Sequence, residues 1–162
     1  MIKLLDILLE DNKIFVPRRS EERKKKRHQM DQLVQQKVQE YIDGGSQGSL
    51  YLNHTTISSL PDNLKIVRGS LNLRNTSITS LPSGLKIKGD LNLNNTPLTS
   101  LPSGLEVSGA LYLGSTPITS LPSDLKVKDE LYLKNTPLAE KYTEEDIRQM
   151  CPGVKKIFLR IR

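Results

Sequence analysis

Residues 69–88 read GSLNLRNTSITSLPSGLKIK, and the chain repeats this stretch with small edits. It returns as GDLNLNNTPLTSLPSGLEVS at 89–108 and as GALYLGSTPITSLPSDLKVK at 109–128. A fainter copy, GSLYLNHTTISSLPDNLKIV, precedes it at 48–67, and a truncated one, DELYLKNTPLAEKY, follows at 129–142. Leu71, Leu91, Leu111 and Leu131 therefore stand at a strict 20-residue period. A fixed period of this size marks a solenoid, in which each unit buries its apolar side only against its neighbours.

Within the second copy the apolar offsets are Leu71, Leu73, Ile78, Leu81, Leu85 and Ile87. The Leu71-Asn72-Leu73 alternation predicts a short strand with one buried face. Thr76, with its copies Thr55, Thr96, Thr116 and Thr136, follows three residues after the second leucine. Its hydroxyl can satisfy a buried backbone group at the bend. Leu81-Pro82 then imposes an extended, helix-incompatible segment. Twenty residues leave no room for a full helix on the convex side. LKIKGDLNL reads as two strand pieces hinged at Gly89, so each coil is expected to feed two narrow sheets. Gly69 and Gly109 hold the same place, and Asp129 replaces them in the last hinge. The first coil is one residue longer, since Leu50 to Leu71 is 21; the extra residue is expected as a bulge near Val67-Arg68.

These repeats resemble the short leucine-rich repeats of bacterial and bacteriophage proteins, in the form LxLxxTxITSLPxxLxVxG, over roughly residues 48–138. Two departures from the commoner pattern stand out. Thr replaces Asn at the bend, and the third residue before the first strand leucine is polar (Arg68, Lys88, Ser108, Lys128), with the apolar residue one place earlier at Ile87, Val107 and Val127. The resemblance implies an α+β solenoid: a short right-handed leucine-rich repeat with a parallel β-sheet face. It also implies an accessory phage or bacterial protein.

The flanks divide the rest of the chain. Residues 1–17 form an apolar arm in which Met1 to Glu10 is expected as a short helix that needs a docking site, because ten residues are too few for a free one. Residues 18–45 are expected as a basic, then amphipathic helix starting near the N-cap residue Ser20 and stopping before Gly44-Gly45. Met30, Leu33, Val34, Val38, Tyr41 and Ile42 follow the helical period, and the stripe is expected to cover the raw end of the repeats (46–139). Residues 140–162 are expected as the C-terminal cap. Thr143 would cap a helix with Glu144, Glu145 and Asp146 in its first turn, ended by Cys151-Pro152-Gly153. A last strand, VKKIFLRIR, would then pair with the final coil, with Ile157, Leu159 and Ile161 inward and Lys156, Phe158, Arg160 and Arg162 outward.

Composition narrows the function. Aromatic residues make up 4% of the 162 and Trp is absent, so the core is aliphatic. A single cysteine excludes an internal disulfide and fits a reducing compartment. No stretch approaches the roughly 20 apolar residues of a membrane span, and Asp6 and Glu10 interrupt any signal-peptide core, so a cytoplasmic protein is expected. His28 and His54 are far apart and lack a neighbouring carboxylate or thiol, and Cys151 sits in no activating motif. No catalytic set, metal site or cofactor is expected, and the periodic glycines are hinges rather than a phosphate loop.

Two surfaces remain. On the strand face, Tyr51, Asn72, Asn92, Tyr112 and Tyr132 form one row, and Asn53, Arg74, Asn94, Gly114 and Lys134 the next. Such residues suit adaptable protein contacts, or else simply solvate a sheet. The second surface is the run RRSEERKKKRH, where Arg18, Arg19, Arg23, Lys24, Lys25, Lys26 and Arg27 give a local charge of +5 within a net +6. Cations at a helix start oppose its dipole, and a polyanion would relieve that cost. With no base-reading motif, any nucleic-acid contact there would be nonspecific. The expected function is a non-enzymatic module binding a protein partner on the strand face. Two other readings stand beside it: a nucleic-acid-associated protein acting through residues 18–28, and a phage assembly or virion component docking through its N-terminal arm.

Overall fold

The computed structural model describes residues 18–159. Their core is a small β-solenoid of about four turns. Each coil adds one strand to each of two parallel sheets. The first sheet orders β1 (Leu50–Tyr51), β3 (Leu71–Asn72), β5 (Leu91–Asn92), β7 (Leu111–Tyr112), β9 (Glu130–Tyr132) and β10 (Lys156–Phe158). The second orders β2 (Ile66–Val67), β4 (Lys86–Ile87), β6 (Glu106–Val107) and β8 (Lys126–Val127). Equivalent leucines face each other in register, Leu71 with Leu91, Leu91 with Leu111 and Leu111 with Leu131. All six apolar offsets of the second copy are buried. The period thus turns each offset into a column of like side chains, and the columns together are the core.

Between the sheets the coils stack closely. A Cβ at Gly89 would lie 2.9 Å from the Gly69 carbonyl carbon and 2.8 Å from the Ser70 amide, so only glycine fits at this position. Beside it a ladder of side-chain acceptors caps successive amides: Ser49 Oγ accepts from Ser70 N, Ser70 Oγ from Asp90 N, and Asp90 Oδ1 from Ala110 N. At the other bend each threonine hydroxyl is satisfied within its own coil. Thr76, Thr96, Thr116 and Thr136 are buried, and each Oγ1 donates to the carbonyl of the leucine three residues back, at 2.6–2.8 Å. The residue just before each threonine (His54, Asn75, Asn95, Ser115, Asn135) adopts the left-handed conformation, with φ between 56° and 61°. Asn tolerates that region better than most residues, which accounts for its recurrence.

The extra residue of the first coil sits slightly earlier than the sequence reading placed it. Ile66 pairs with Lys86 and Val67 with Ile87, a 20-residue offset, whereas Leu50 pairs with Leu71 at 21. Buried Leu64 matches Leu85 at 21, so the insertion falls between Leu64 and Ile66 rather than at Val67-Arg68.

Helix α1 spans Arg18–Asp43, beginning two residues before Ser20. It ends in a Schellman arrangement. Ser46 N donates to Tyr41 O, Gly45 N donates to Ile42 O, and Gly45 takes φ +78°. Only part of its apolar stripe meets the repeats. Val34 and Val38 join the core and Tyr41 and Ile42 pack against it, but Met30 and Leu33 are 52% and 54% exposed. The expectation that Met30 and Leu33 cover the first coil is therefore corrected. Polar contacts set the rotation: Asp31 accepts from the Thr56 hydroxyl, Gln35 Nε2 donates to Ser59 O, and the Tyr41 hydroxyl donates to Ser46 O and Gly48 O. With Asp31 and Gln35 facing the first coil, Leu33 turns outward.

At the far end a one-turn helix, α2 (Pro137–Lys141), appears where sequence reasoning placed none. Thr136 caps it, accepting from Ala139 N, with Pro137 in the first turn. Helix α3 (Glu144–Met150) opens on a capping box between Thr143 and Asp146. Strand β10 runs parallel to β9, with Ile157 opposite Leu131 and Phe158 opposite Tyr132. The expected helix within residues 1–10 and the inward Ile161 lie outside the described residues.

Candidate binding face

The outward positions of the six-stranded sheet form the row Tyr51, Asn72, Asn92, Tyr112, Tyr132 and Phe158 by strand register. Its last three members stack. The Tyr112 and Tyr132 rings lie 4.6 Å apart at 10°, and Tyr132 and Phe158 lie 4.6 Å apart at 9°. Parallel strands in register fix that spacing, because neighbouring strands lie about 4.8 Å apart. The facing ring surfaces are spent on one another, leaving the outer faces of Tyr112 and Phe158 without a ring against them, and the ring edges point outward. Tyr132 donates its hydroxyl to Glu130 Oε2 at 2.6 Å, and Lys156 Nζ reaches Glu130 Oε1 at 3.4 Å. That bond to a carboxylate, ahead of burial, pushes the Tyr132 phenol up to about 12. Burial, then the carboxylates of Asp90, Glu130 and Asp129, raises Tyr112 above its ordinary value.

The asparagines of the row are tied to their own backbone. Asn72 Oδ1 accepts from Arg74 N, and Asn92 Oδ1 from Asn94 N, each at 3.1 Å. Asn94 Oδ1 accepts from Gly114 N at 2.6 Å. Their oxygens therefore shape the face rather than wait for a partner. Tyr51, 58% exposed, stands at the opposite end from the stacked rings, separated from them by Asn72 and Asn92. Asn53 is half-buried, while Arg74 and Lys134 are exposed.

Beside the stacked rings runs an open groove of about 1200 Å³. Its lining includes Gly114, the rings, Arg74 and Lys134 and extends onto β10 at Ile157 and Leu159, and its wall is the α2–α3 junction at Lys141 and Tyr142. Lys141 Nζ sits 5.0 Å from the centre of the Tyr142 ring. Two contributors escaped sequence reasoning. Phe158 was legible as an outward residue, but its place at the end of the tyrosine row depends on the β9–β10 register. The Tyr142 wall depends on α2, whose five residues are too few for a helical period to show.

The basic run lies elsewhere. Lys24, Lys25 and Lys26 are exposed on the first half of α1, and Arg18, Arg19, Arg23 and Arg27 belong to the same helix. Residues 23–27 advance about 100° each and so encircle the helix rather than form one face. No described side chain of α1 lines the groove. Cys151 is buried, and burial pushes its thiol up to about 11, which disfavours the thiolate. Among the described residues no three His, Cys, Asp or Glu gather where a metal could bind, and no helix is long and apolar enough to cross a membrane.

The chain is thus a β-solenoid with a polar-aromatic strand face. No protein-family model, no curated protein and no solved structure matches it.

Proposed function

We propose that the protein is a non-enzymatic interaction module, a short leucine-rich repeat of the bacterial or phage kind. In this reading it works in the cytoplasm, its repeats are closed by α1 at one end and by α3 and β10 at the other, and it holds a protein partner on its strand face. The observation that carries this is the ring stack Tyr112–Tyr132–Phe158 beside a large open groove. Rigid aromatic side chains fixed by neighbours present contact area at little entropic cost, as interface anchors do. Tyr112→Ala combined with Tyr132→Ala should weaken partner binding by roughly thirtyfold or more, corresponding to about 2 kcal/mol. Circular dichroism should show the fold intact, since both side chains point away from the core. A partner that binds the double variant as it binds the wild type would overturn the reading.

A second reading rests on the exposed Lys24–Lys26 segment, which offers a sequence-independent contact for a nucleic-acid backbone. In that case neutralising Lys24, Lys25, Lys26 and Arg27 abolishes DNA or RNA retention, log affinity falls linearly with log salt, and the tyrosine changes are silent.

A further inference from the structure

We infer that the groove beside the stacked rings takes an extended acidic segment of a partner protein, laid across the strands with two carboxylates about four residues apart. The inference rests on the interaction-module reading and names the chemistry of its partner. Three observations lead to it.

The first concerns charge. Arg74 and Lys134 both line the groove, three coils apart, are exposed, and form no ion pair among the described residues. Lys141 on the wall rests on the Tyr142 ring. Of the two groove carboxylates, Glu144 is held by Arg148 at 2.9 Å, which leaves Glu140 alone against three cations. The lining residues carry one net positive charge, three cations against Glu140 and Glu144, and the neighbouring Glu130 beside Tyr132 is itself met by Lys156 at 3.4 Å, so the surplus complements an acidic ligand.

The second concerns the rings. Centroids 4.6 Å apart leave no slot into which a nucleobase could stack. What the stack offers is ring edges, which carry the positive end of the aromatic quadrupole and attract carbonyl and carboxylate oxygens. A polypeptide has both; a stacking nucleic acid needs ring faces instead, and here only the outer faces of Tyr112 and Phe158 have no ring against them.

The third concerns shape. In the row Arg74, Asn94, Gly114, Lys134 the glycine leaves a gap in the side chains between the two cations. A Cβ there would come within 3.0 Å of Asn94 Oδ1. Arg74 and Lys134 are three coils apart, roughly 14 Å at about 4.8 Å per strand. An extended chain rises about 3.3 Å per residue, so roughly four residues bridge them. The groove volume, about 1200 Å³, exceeds that of typical small-molecule pockets and suits several residues of chain.

Fluorescence anisotropy with the full-length protein tests this. Four labelled probes are compared: a Ser/Leu peptide with two glutamates four residues apart, the same composition with the glutamates adjacent, a version with lysines for glutamates, and an oligo-dT strand. The spaced acidic peptide should bind about tenfold tighter than the lysine peptide, and tighter than the adjacent-glutamate peptide. Arg74→Glu with Lys134→Glu should reverse the preference. Equal binding of the lysine peptide or of oligo-dT overturns the inference, as does a charge-reversed protein that still prefers glutamate. So does equal binding of the adjacent-glutamate peptide, or no binding of any peptide. If the charge reversal is inert while the double tyrosine variant loses its protein partner, the acidic segment is refuted and the interaction face stands. If the tyrosine variant also binds its partner normally, both fall.

Discussion

The two sheets share one backbone period and use it oppositely. On the six-stranded sheet the outward position repeats an aromatic ring in three successive strands, and the rings stack. On the four-stranded sheet the outward position alternates Lys86, Glu106 and Lys126, with Glu106 contacting Lys86 at 3.4 Å and Lys126 at 3.1 Å. A parallel in-register stack multiplies whatever a coil presents. Rings attract their own kind and can repeat without cost, whereas like charges directly opposite destabilise, so a charged column must alternate. The same logic gives one sheet a stacked ring column and the other a column of exposed ion pairs. The aromatic sheet also gains β10, a strand from outside the repeats, which extends the ring column by Phe158.

The largest test of this comparison is made from the inside. Leu111→Ala, under the ring column, and Ile87→Ala, under the charged column, each remove three carbons from a buried side chain and should each cost about 2–5 kcal/mol, the larger loss falling at Leu111. Urea unfolding monitored by circular dichroism measures both. Equal losses would mean that the aromatic sheet carries no greater share of the stability.

The next test is titration. Tyr132 is raised from 10.0 to about 12, chiefly by its bond to Glu130. The raised value means that the fold favours the protonated phenol. Its contribution is therefore complete below about pH 10 and is lost as pH rises through about 12. Tyrosinate absorbance, with Tyr132→Phe subtracted to isolate this residue, should show that late midpoint. Glu130→Gln should bring the midpoint back toward an ordinary tyrosine, and an unchanged midpoint would remove Glu130 as the cause.

The smallest effect belongs to the charged column. Glu106 is held below the usual carboxylate range by hydrogen bonds from Lys126 and then Lys86. Its lowered value makes its contribution present at neutral pH and lost as pH falls below about 4.5, the ordinary carboxylate value. Glu106→Gln should shift the urea midpoint slightly at low salt and not at all at 1 M salt, where exposed charges are screened within about 3 Å. A shift that survives high salt would show that this column does more than solvate its sheet.

Much of this was determined by the sequence alone. A 20-residue period with apolar residues at fixed offsets admits one solution, a column of like residues at every offset, so the core and both sheets follow directly. The glycine stop of α1 and the Thr143 cap of α3 are equally local, because they depend on a few adjacent backbone groups. What needed the tertiary structure depends on rotation or register. An amphipathic stripe says that α1 has an apolar side, but contacts at Asp31 and Gln35 decide that Val34 and Val38 go inward while Met30 and Leu33 stay outside. Strand alternation says that Phe158 points outward, but only its pairing opposite Tyr132 places it on the ring column. The groove is less local still, since it joins Arg74 to Tyr142 across coils that touch only through their neighbours. Local periodicity specifies what each coil is; how the ends dock onto the stack is set by contacts between residues distant in sequence, and those contacts place the candidate site.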